Sequence, residues 1–427
     1  MNKKRGFIFL TLVLFVFCVS AIFAVYQDGQ KSATRADRSI PAANISAAKE
    51  NHASQQVFQE QPQLRHETTA VNIEVPVRVF RGNEFVDNLT IDDFIVYQDG
   101  IPQQIAAVYL VKKTTIERKN EPHVRFKPAI TRNFVLYFEI LDWLPEIGNA
   151  VKFFFKNVID EGDGLTVVSP MKTYHLRPQN LKRLPPEKIS EEIINKLRKD
   201  TQIRSWPLKS IMADIGDLSG GRMQSVNSAE VAGQLSELIK DLKYLDETKM
   251  LKFADTLKNM EGQKQVFLFY QKDIMPSLWS TDGQSDISSV LSRLAYGHEQ
   301  TFNVDKIKKA FSDSSIGLQF IYITKIQDYN LDVSQPRFSA AGRTVISDQS
   351  AGVYSAFKEM AIATGGTVDA SANVEASFQK AVNASENYYL LYYTPEFYSA
   401  SGKFHTIEVK VKLEGLRVTH RAGYFSN

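Results

Sequence analysis

Four short, nearly unbroken apolar runs constrain what this chain can fold into: Phe134 to Ile140, Leu165 to Ser169, Val266 to Tyr270 and Leu318 to Ile323. Each has the length of a strand and is apolar at odd and even positions alike, the mark of a strand buried on both faces. Helical patterns lie between and after them, at Gly148 to Ile159, Glu187 to Lys199, Ser228 to Met260, Ile287 to Tyr296, Val304 to Phe311, Val353 to Thr364 and Val374 to Ser385. Pro185-Pro186 opens the second of these and Gly365-Gly366 stops the sixth. In the third, Leu235, Leu238, Ile239, Leu242 and Leu245 recur at helical spacing. Buried strands alternating with helices predict an α/β fold, a doubly wound and mostly parallel sheet, over residues 130–386.

The two ends read differently. Val71, Ile73, Val75, Val77 and Val79 alternate with polar residues and Pro76, so their side chains share one face of a strand, and the proline points to an edge position. Strands follow at Phe94 to Tyr97 and Gln104 to Val111, with Asp99-Gly100 as the turn. Near the other end, Tyr388 to Tyr393 is a strand, Ile407, Val409, Val411 and Leu413 alternate with charges, and Gly415 turns into Leu416 to His420. Neither end has enough strands to stand alone. The reading is that residues 67–113 and 387–427 pair into one small β-sandwich, with the α/β domain inserted between its halves.

Lys3, Lys4 and Arg5 precede an uncharged apolar run from Gly6 to about Val25, the layout of an export signal. The run is also roughly the ~20 residues a membrane-spanning helix needs, so residues 1–25 read as a signal peptide or a signal anchor. Either places the rest of the chain outside the cytoplasm, periplasmic, secreted or tethered to the inner membrane. Residues 26–66 are rich in Ala, Ser, Gln and charge and poor in large apolar groups, a disordered linker by composition. The single cysteine, Cys18, follows bulky Phe17, which argues against lipidation, and leaves no thiol or disulfide in the remainder. With 51 basic against 48 acidic residues, the charge offers nothing for nucleic acid.

Three stretches carry a resemblance. The first is Val71 to Val79 with Leu89-Thr90-Ile91-Asp92-Asp93-Phe94, Val96-Tyr97-Gln98-Asp99-Gly100 and Gln103-Gln104-Ile105. The second is Glu161-Gly162-Asp163 before Leu165 to Val168. The third joins Ala363-Thr364-Gly365-Gly366, Tyr388 to Tyr392, Gly402-Lys403-Phe404, Ile407 to Val411 and Arg421-Ala422-Gly423-Tyr424-Phe425. In order and spacing these phrases resemble the bacterial von Willebrand factor A-related domain proteins, over about residues 66–427. Metal-binding members of that wider superfamily carry Asp-x-Ser-x-Ser after the first sheet strand and often Thr-Asp-Gly after a later one. Here Glu139 stands in the Asp position, and Leu141 and Trp143 stand where hydroxyls would be, around Asp142. Gln271 and Lys272 replace the later phrase. The resemblance therefore implies a degenerate metal-ion-dependent adhesion site without a bound metal, since hard cations need oxygen ligands.

Other motifs read as ordinary structure. Thr281-Asp282-Gly283 lies about ten residues past its strand and reads as a turn. Gly216 to Gly221 around Ser219 is similar to a serine-hydrolase phrase with one residue too many, and the seven histidines are scattered. No glycine-rich phosphate loop follows a strand, so no nucleotide or other cofactor is expected. Phe153-Phe154-Phe155 reads as a core helix, Lys306, Lys308 and Lys309 as a solvated face, and about half of Tyr388, Tyr389, Tyr392 and Tyr393 as strand core.

The expectation is an exported, non-enzymatic protein that mediates protein–protein interaction or adhesion at the cell envelope, its partner of unknown identity. It touches a membrane only through the N-terminal segment. Glu139, Leu141, Asp142, Trp143, Gln271 and Trp279 mark the expected binding edge, with Trp143 and Trp279 beside Pro145 and Pro276 as an apolar patch. The rival readings are an exported hydrolase using Glu139, Asp142 or Ser219, and a purely structural envelope component.

Overall fold

The computed structural model describes residues 71–121, 126–176, 178–219, 233, 247–271, 274–279, 303–325, 343–348 and 351–426. The described chain opens with β1 (Ile73–Arg81), β2 (Glu84–Phe85), β3 (Phe94–Gln98), β4 (Ile101–Gln103), β5 (Ile105–Lys112) and β6 (Thr115–Asn120). Then come β7 (Arg132–Glu139), α1 (Pro145–Asn157), β8 (Gly164–Val168), β9 (Thr173–Leu176), α2 (Pro178–Arg183) and α3 (Pro186–Ser219). They are followed by α4 (Glu247–Lys258), β10 (Gln263–Gln271), β11 (Ile274–Trp279), α5 (Val304–Asp313), β12 (Ile316–Ile323) and β13 (Arg343–Asp348). The last elements are α6 (Ala351–Ala363), β14 (Val368–Ser371), α7 (Val374–Glu386), β15 (Asn387–Tyr393), β16 (Phe404–Val411), β17 (Arg417–His420) and β18 (Gly423–Phe425).

These strands form four sheets. One six-stranded sheet runs β17-β1-β15-β5-β6, with β2 on β1; a second runs β14-β12-β10-β7-β8-β9. A four-stranded sheet runs β18-β16-β3-β4, and β11 pairs with β13 alone. The expected fold class, a doubly wound and mostly parallel sheet set in a small β-sandwich, is overturned. Among the described residues ten of the fourteen strand pairings are antiparallel, and the chain is a mixed α/β structure. Parallel pairing is confined to β14-β12-β10-β7-β8. The reason is local. Short hairpin connections such as the one between β5 and β6 return the chain antiparallel, and β9 turns back on β8 within a few residues.

Side chains of the parallel strands alternate between two cores. Phe134, Leu136, Phe138, Phe267 and Phe269 point to one side, against α1, α3 and α7. Val135, Val266, Leu268, Tyr270, Leu318 and Phe320 point to the other, against α4, α5 and α6. The phenylalanine triplet of α1 serves this packing, with Phe154 and Phe155 buried and Phe153 half-buried. Gly366 has no room for a side chain, since a Cβ there would lie 1.9 Å from the Leu318 carbonyl oxygen. It lets the turn after α6 lie directly against β12.

The two ends of the chain meet in register. β1 pairs with β15 and β17, and β16 pairs with β3. The two antiparallel sheets share a core of Val75, Val77, Val79, Leu110, Tyr389, Leu391, Tyr393, Val96, Ile407 and Val409. The opposite face of β15 is covered too, where Phe126 stacks 4.4 Å from Tyr392. All four tyrosines of β15 are therefore buried, not half of them. Pro76 also departs from expectation, because β1 is an interior strand. It falls one residue beyond the β17 register, where β1 has a neighbour on one side only, so a missing amide hydrogen is accommodated. Asp99 (φ 50°) and Gly100 (φ 81°) make the expected tight turn, now between β3 and β4.

Two helices differ from their sequence signals. α3 runs through Pro207 to Ser219, well past Lys199. Of the Ser228 to Met260 stretch, α4 covers Glu247–Lys258. Residues 228–232 and 234–246 of that stretch, the expected helix at Ile287 to Tyr296, the N-terminal apolar run and the 26–66 linker lie outside the described residues. No helix among the described residues is long and apolar enough to cross a membrane.

His420 makes the junction at β17 sensitive to acid. Its Nε2 accepts a hydrogen bond from the Val409 amide at 3.2 Å, so the neutral ring carries its proton on Nδ1, 2.9 Å from the Arg421 carbonyl. Burial holds the imidazole below its ordinary pKa of 6.5. The unfolded chain then takes up a proton before the folded chain does. Stability is full above pH 6.5 and falls as pH drops from there toward the lowered folded value. Urea unfolding at pH 7.5 and 5.5 should show a steeper loss in the parent than in His420→Gln; equal losses would refute the assignment.

Candidate functional site

The parallel strands bring their carboxyl ends to one edge. β7 sits inside the sheet with β10 on one side and β8 on the other. The chain leaves β7 for β8 through α1, whereas β10 joins from the opposite flank, so connections diverge in the gap above β7 and β10. Crevices for ligands form at such points in open α/β sheets.

Gln271, the last residue of β10, fills this gap. Its side-chain oxygen accepts hydrogen bonds from two consecutive backbone amides, Leu141 at 2.9 Å and Asp142 at 2.7 Å. Its amide nitrogen donates to the Lys325 carbonyl oxygen at 3.3 Å, beyond the end of β12. With 2% of its surface exposed, Gln271 joins the exits of three strands through one side chain. The Lys325 ammonium then reaches Glu146 in the first turn of α1 at 2.5 Å. That hydrogen bond holds the Glu146 carboxyl below the usual carboxylate range.

The structure thus brings Leu141, Asp142 and Gln271 together. Asp142 is buried, at 3% exposure. Glu139 ends β7 half-buried, and with burial it holds the Tyr137 phenol above its ordinary pKa, desolvation being the larger cause. Trp143 turns toward the helices. Its ring lies 3.4 Å from the position a Cβ on Gly148 would take, packs against the α1–α3 core, and carries the Arg198 guanidinium 5.4 Å above it. Trp279 ends β11, in register with Arg343 of β13. The side chain of Trp279, and with it the expected patch of two indoles, lies outside the described residues, as do Lys272 and Thr281-Asp282-Gly283. Ser219 is the last residue of α3, and its side chain lies outside the described residues.

A second polar cluster on the same edge had no sequence signal. Ser169 follows β8 and donates to the Asp200 carboxylate of α3 at 2.6 Å; Tyr174 of β9 donates to the same oxygen at 2.7 Å. Burial, and then Asp200, push the Tyr174 phenol up to about 12. The Ser169 oxygen also accepts from the Lys172 amide at 2.9 Å, so the hydroxyl is committed to closing the β8–β9 turn. The partner residues lie 31 and 26 positions apart, beyond any local pattern. The nearby His175 bonds Thr166 on the exposed edge and takes no part. No group of three His, Cys, Asp or Glu among the described residues is disposed to hold a metal ion.

No family model matches the chain. No curated protein matches it either. Among solved structures, the human COPII-coat protein Sec24c aligns with a TM-score of 0.29 and 8% identity over 70% of this chain. The chain spans 44% of that structure, and a likeness at this level carries no argument about fold or function.

Proposed function

We propose that this chain is a binding protein, not an enzyme, and that it presents the carboxyl edge of its parallel strands to a protein partner outside the cytoplasm. The observation that supports this most directly is the double acceptance by Gln271. One buried neutral amide takes two backbone N–H groups and ties three strand exits together. Such an arrangement presets the shape of the loop between β7 and α1 and commits the Gln271 amide to the protein's own backbone. Loops held rigidly on a scaffold are suited to recognition. The Glu146–Lys325 pair adds charge of both signs on the rim. The sequence phrases similar to von Willebrand factor A-related domain proteins, and the apolar N-terminal run, support a place at the cell envelope.

Site-directed photo-crosslinking in cells that produce the full chain tests this. A benzoylphenylalanine at Asn149 or Thr324, both exposed near the carboxyl edge, should give an adduct of one discrete mass. The same group at exposed Glu261, before β10 at the opposite edge, should give none. Adducts at all three positions alike, or none at the first two, would overturn the proposal. Hydrolysis of an ester, peptide or glycoside by the purified chain, abolished in Glu139→Gln, would replace it with the enzymatic reading.

A further inference from the structure

We propose that the seam between the terminal strands and the parallel sheet binds a small inorganic anion of halide size, held between the guanidinium groups of Arg78 and Arg421. Arg78 lies on β1, and Arg421 follows β17. Both line a small cavity closed from the other side by Gln265 of β10, Gly317 of β12, Ser315 and Thr364. This is the amino edge of the parallel strands, opposite the site built on Gln271, and the inference does not depend on the reading of that site.

Arg78 is 3% exposed and Arg421 is 8% exposed. Among the described residues, Arg78 makes one hydrogen bond, from Nη1 to the Gly365 carbonyl at 3.4 Å. Arg421 donates from Nη1 to Ser315 Oγ at 2.7 Å and from Nη2 to the Glu74 carbonyl at 2.6 Å. In both side chains the buried Nε is without a partner. Neither guanidinium forms an ion pair with a described carboxylate. Two acids act on Arg421 through their charge, but their hydrogen bonds are spent elsewhere, and neither acts on Arg78. Glu74 accepts from Gln263 and Tyr392, and Asp313 accepts from Lys258 and the Phe425 amide. Buried Lys264 adds a third positive charge beside them, its nitrogen bonded to the Met260 carbonyl.

A buried charge of this kind is retained only when something compensates it. The faces around Arg78 supply little, with the Tyr388 ring 5.8 Å from its carbon and burial lowering its pKa to about 10. The cavity has room for roughly one body the size of a water molecule. That admits a monatomic anion with slight adjustment of the side chains and excludes tetrahedral oxyanions. A water could fill the space but would bring no negative charge to Arg78, on which no described carboxylate acts. An anion would satisfy both Nε donors and tie β1 and the chain's end to the amino edge of β10 and β12.

The test uses the full chain at constant ionic strength. Replacing gluconate by chloride or bromide should raise Tm saturably by about 2 °C or more, whereas sulfate should match gluconate. The halide response should vanish in Arg78→Gln. Crystals of the unaltered chain grown in bromide should show an anomalous peak within hydrogen-bond reach of Arg78 and Arg421, so the test survives if the variant fails to fold. Identical Tm values with no anomalous peak mean that the cavity holds water only. A rise common to all anions, or one undiminished in Arg78→Gln, means a general salt effect. Either overturns the proposal.

Discussion

Replacing Asp163 by alanine is expected to destabilise the folded chain by about 3–5 kcal/mol. Arg132 opens β7, and Asp163 closes the turn that leads into β8, so one ion pair fastens the first crossover at its base. Arg132 Nε donates to one carboxylate oxygen at 3.0 Å and Nη2 to the other at 2.6 Å, a two-point contact. The second oxygen also accepts the Asp160 amide at 2.7 Å. The pair is almost completely buried, with 6% and 2% of the two side chains exposed. Alanine would leave the guanidinium in the interior with Asp160, itself largely exposed, as its remaining acid. It would also strip the turn amide of its acceptor. Asp163→Asn keeps an acceptor but loses the charge, so it should fall between parent and alanine. Guanidinium unfolding of the three proteins measures the series, and an alanine variant within about 1 kcal/mol of the parent would refute it.

The same pair shows what the sequence makes legible. Gly162-Asp163 was visible as a step between helix and strand, and Gly162 does take the left-handed conformation a tight turn uses, at φ 95°. Its partner Arg132 had no signal, because nothing local connects residues 31 positions apart. The long apolar strands and their helices were legible for a related reason. A strand buried on both faces must be apolar at every position, and that pattern is written locally. What escaped was pairing. β6 reads Thr-Ile-Glu-Arg-Lys-Asn and β9 reads Thr-Tyr-His-Leu, strands made by backbone bonds to a neighbour with little apolar content of their own. These hairpin partners add to the antiparallel pairings of the two ends, and together they outnumber the parallel ones, so a fold class that puts the weight on the buried strands is wrong. The tyrosines of β15 were misjudged similarly, since the second cover over that sheet comes from Phe126 and Ile130, in a segment without periodicity.

At the candidate site the sequence identified positions better than roles. Leu141 and Gln271 are singled out as places where oxygen ligands are replaced, Asp142 as their neighbour on the expected binding edge, and the three do meet. Their connection is a hydrogen-bond lock from side chain to backbone, invisible to any comparison of side-chain types, because the acceptor's partners are main-chain amides present in every residue but proline. The sequence places Trp143 in an apolar patch with Trp279, Pro145 and Pro276, whereas its ring packs toward the helices. The absence of a side chain on Gly148, five residues later, opens the space it occupies against α1.

Gln271→Leu should therefore expose what holds this edge together. Leucine keeps the approximate volume and removes every polar atom, leaving the amides of Leu141 and Asp142 without an acceptor in a crevice that is closed to solvent at Gln271 itself. An unsatisfied buried donor costs about 1–3 kcal/mol, so two together predict a loss of about 2–4 kcal/mol, relieved in part if the loop swings out to water. Which of these occurs is readable by hydrogen exchange. If the loop stays, global stability falls; if it swings, residues 141 and 142 lose protection while the sheet keeps its own. In either case the adduct from a crosslinker at Thr324 should weaken, because Lys325 would lose the bond from its carbonyl to the Gln271 amide. Gln271→Glu separates geometry from charge. It preserves an acceptor for both amides but places a second carboxylate beside buried Asp142, so its deficit should grow as pH rises through the acid range, whereas the leucine deficit should stay flat. Unaltered exchange at 141 and 142 in Gln271→Leu, with stability within about 0.5 kcal/mol of the parent, would show that the loop is held by its apolar contacts alone. The loop between β7 and α1 would then owe its shape to Leu144 and Ile147, both buried in the core beside α1, and the glutamine would be a passenger.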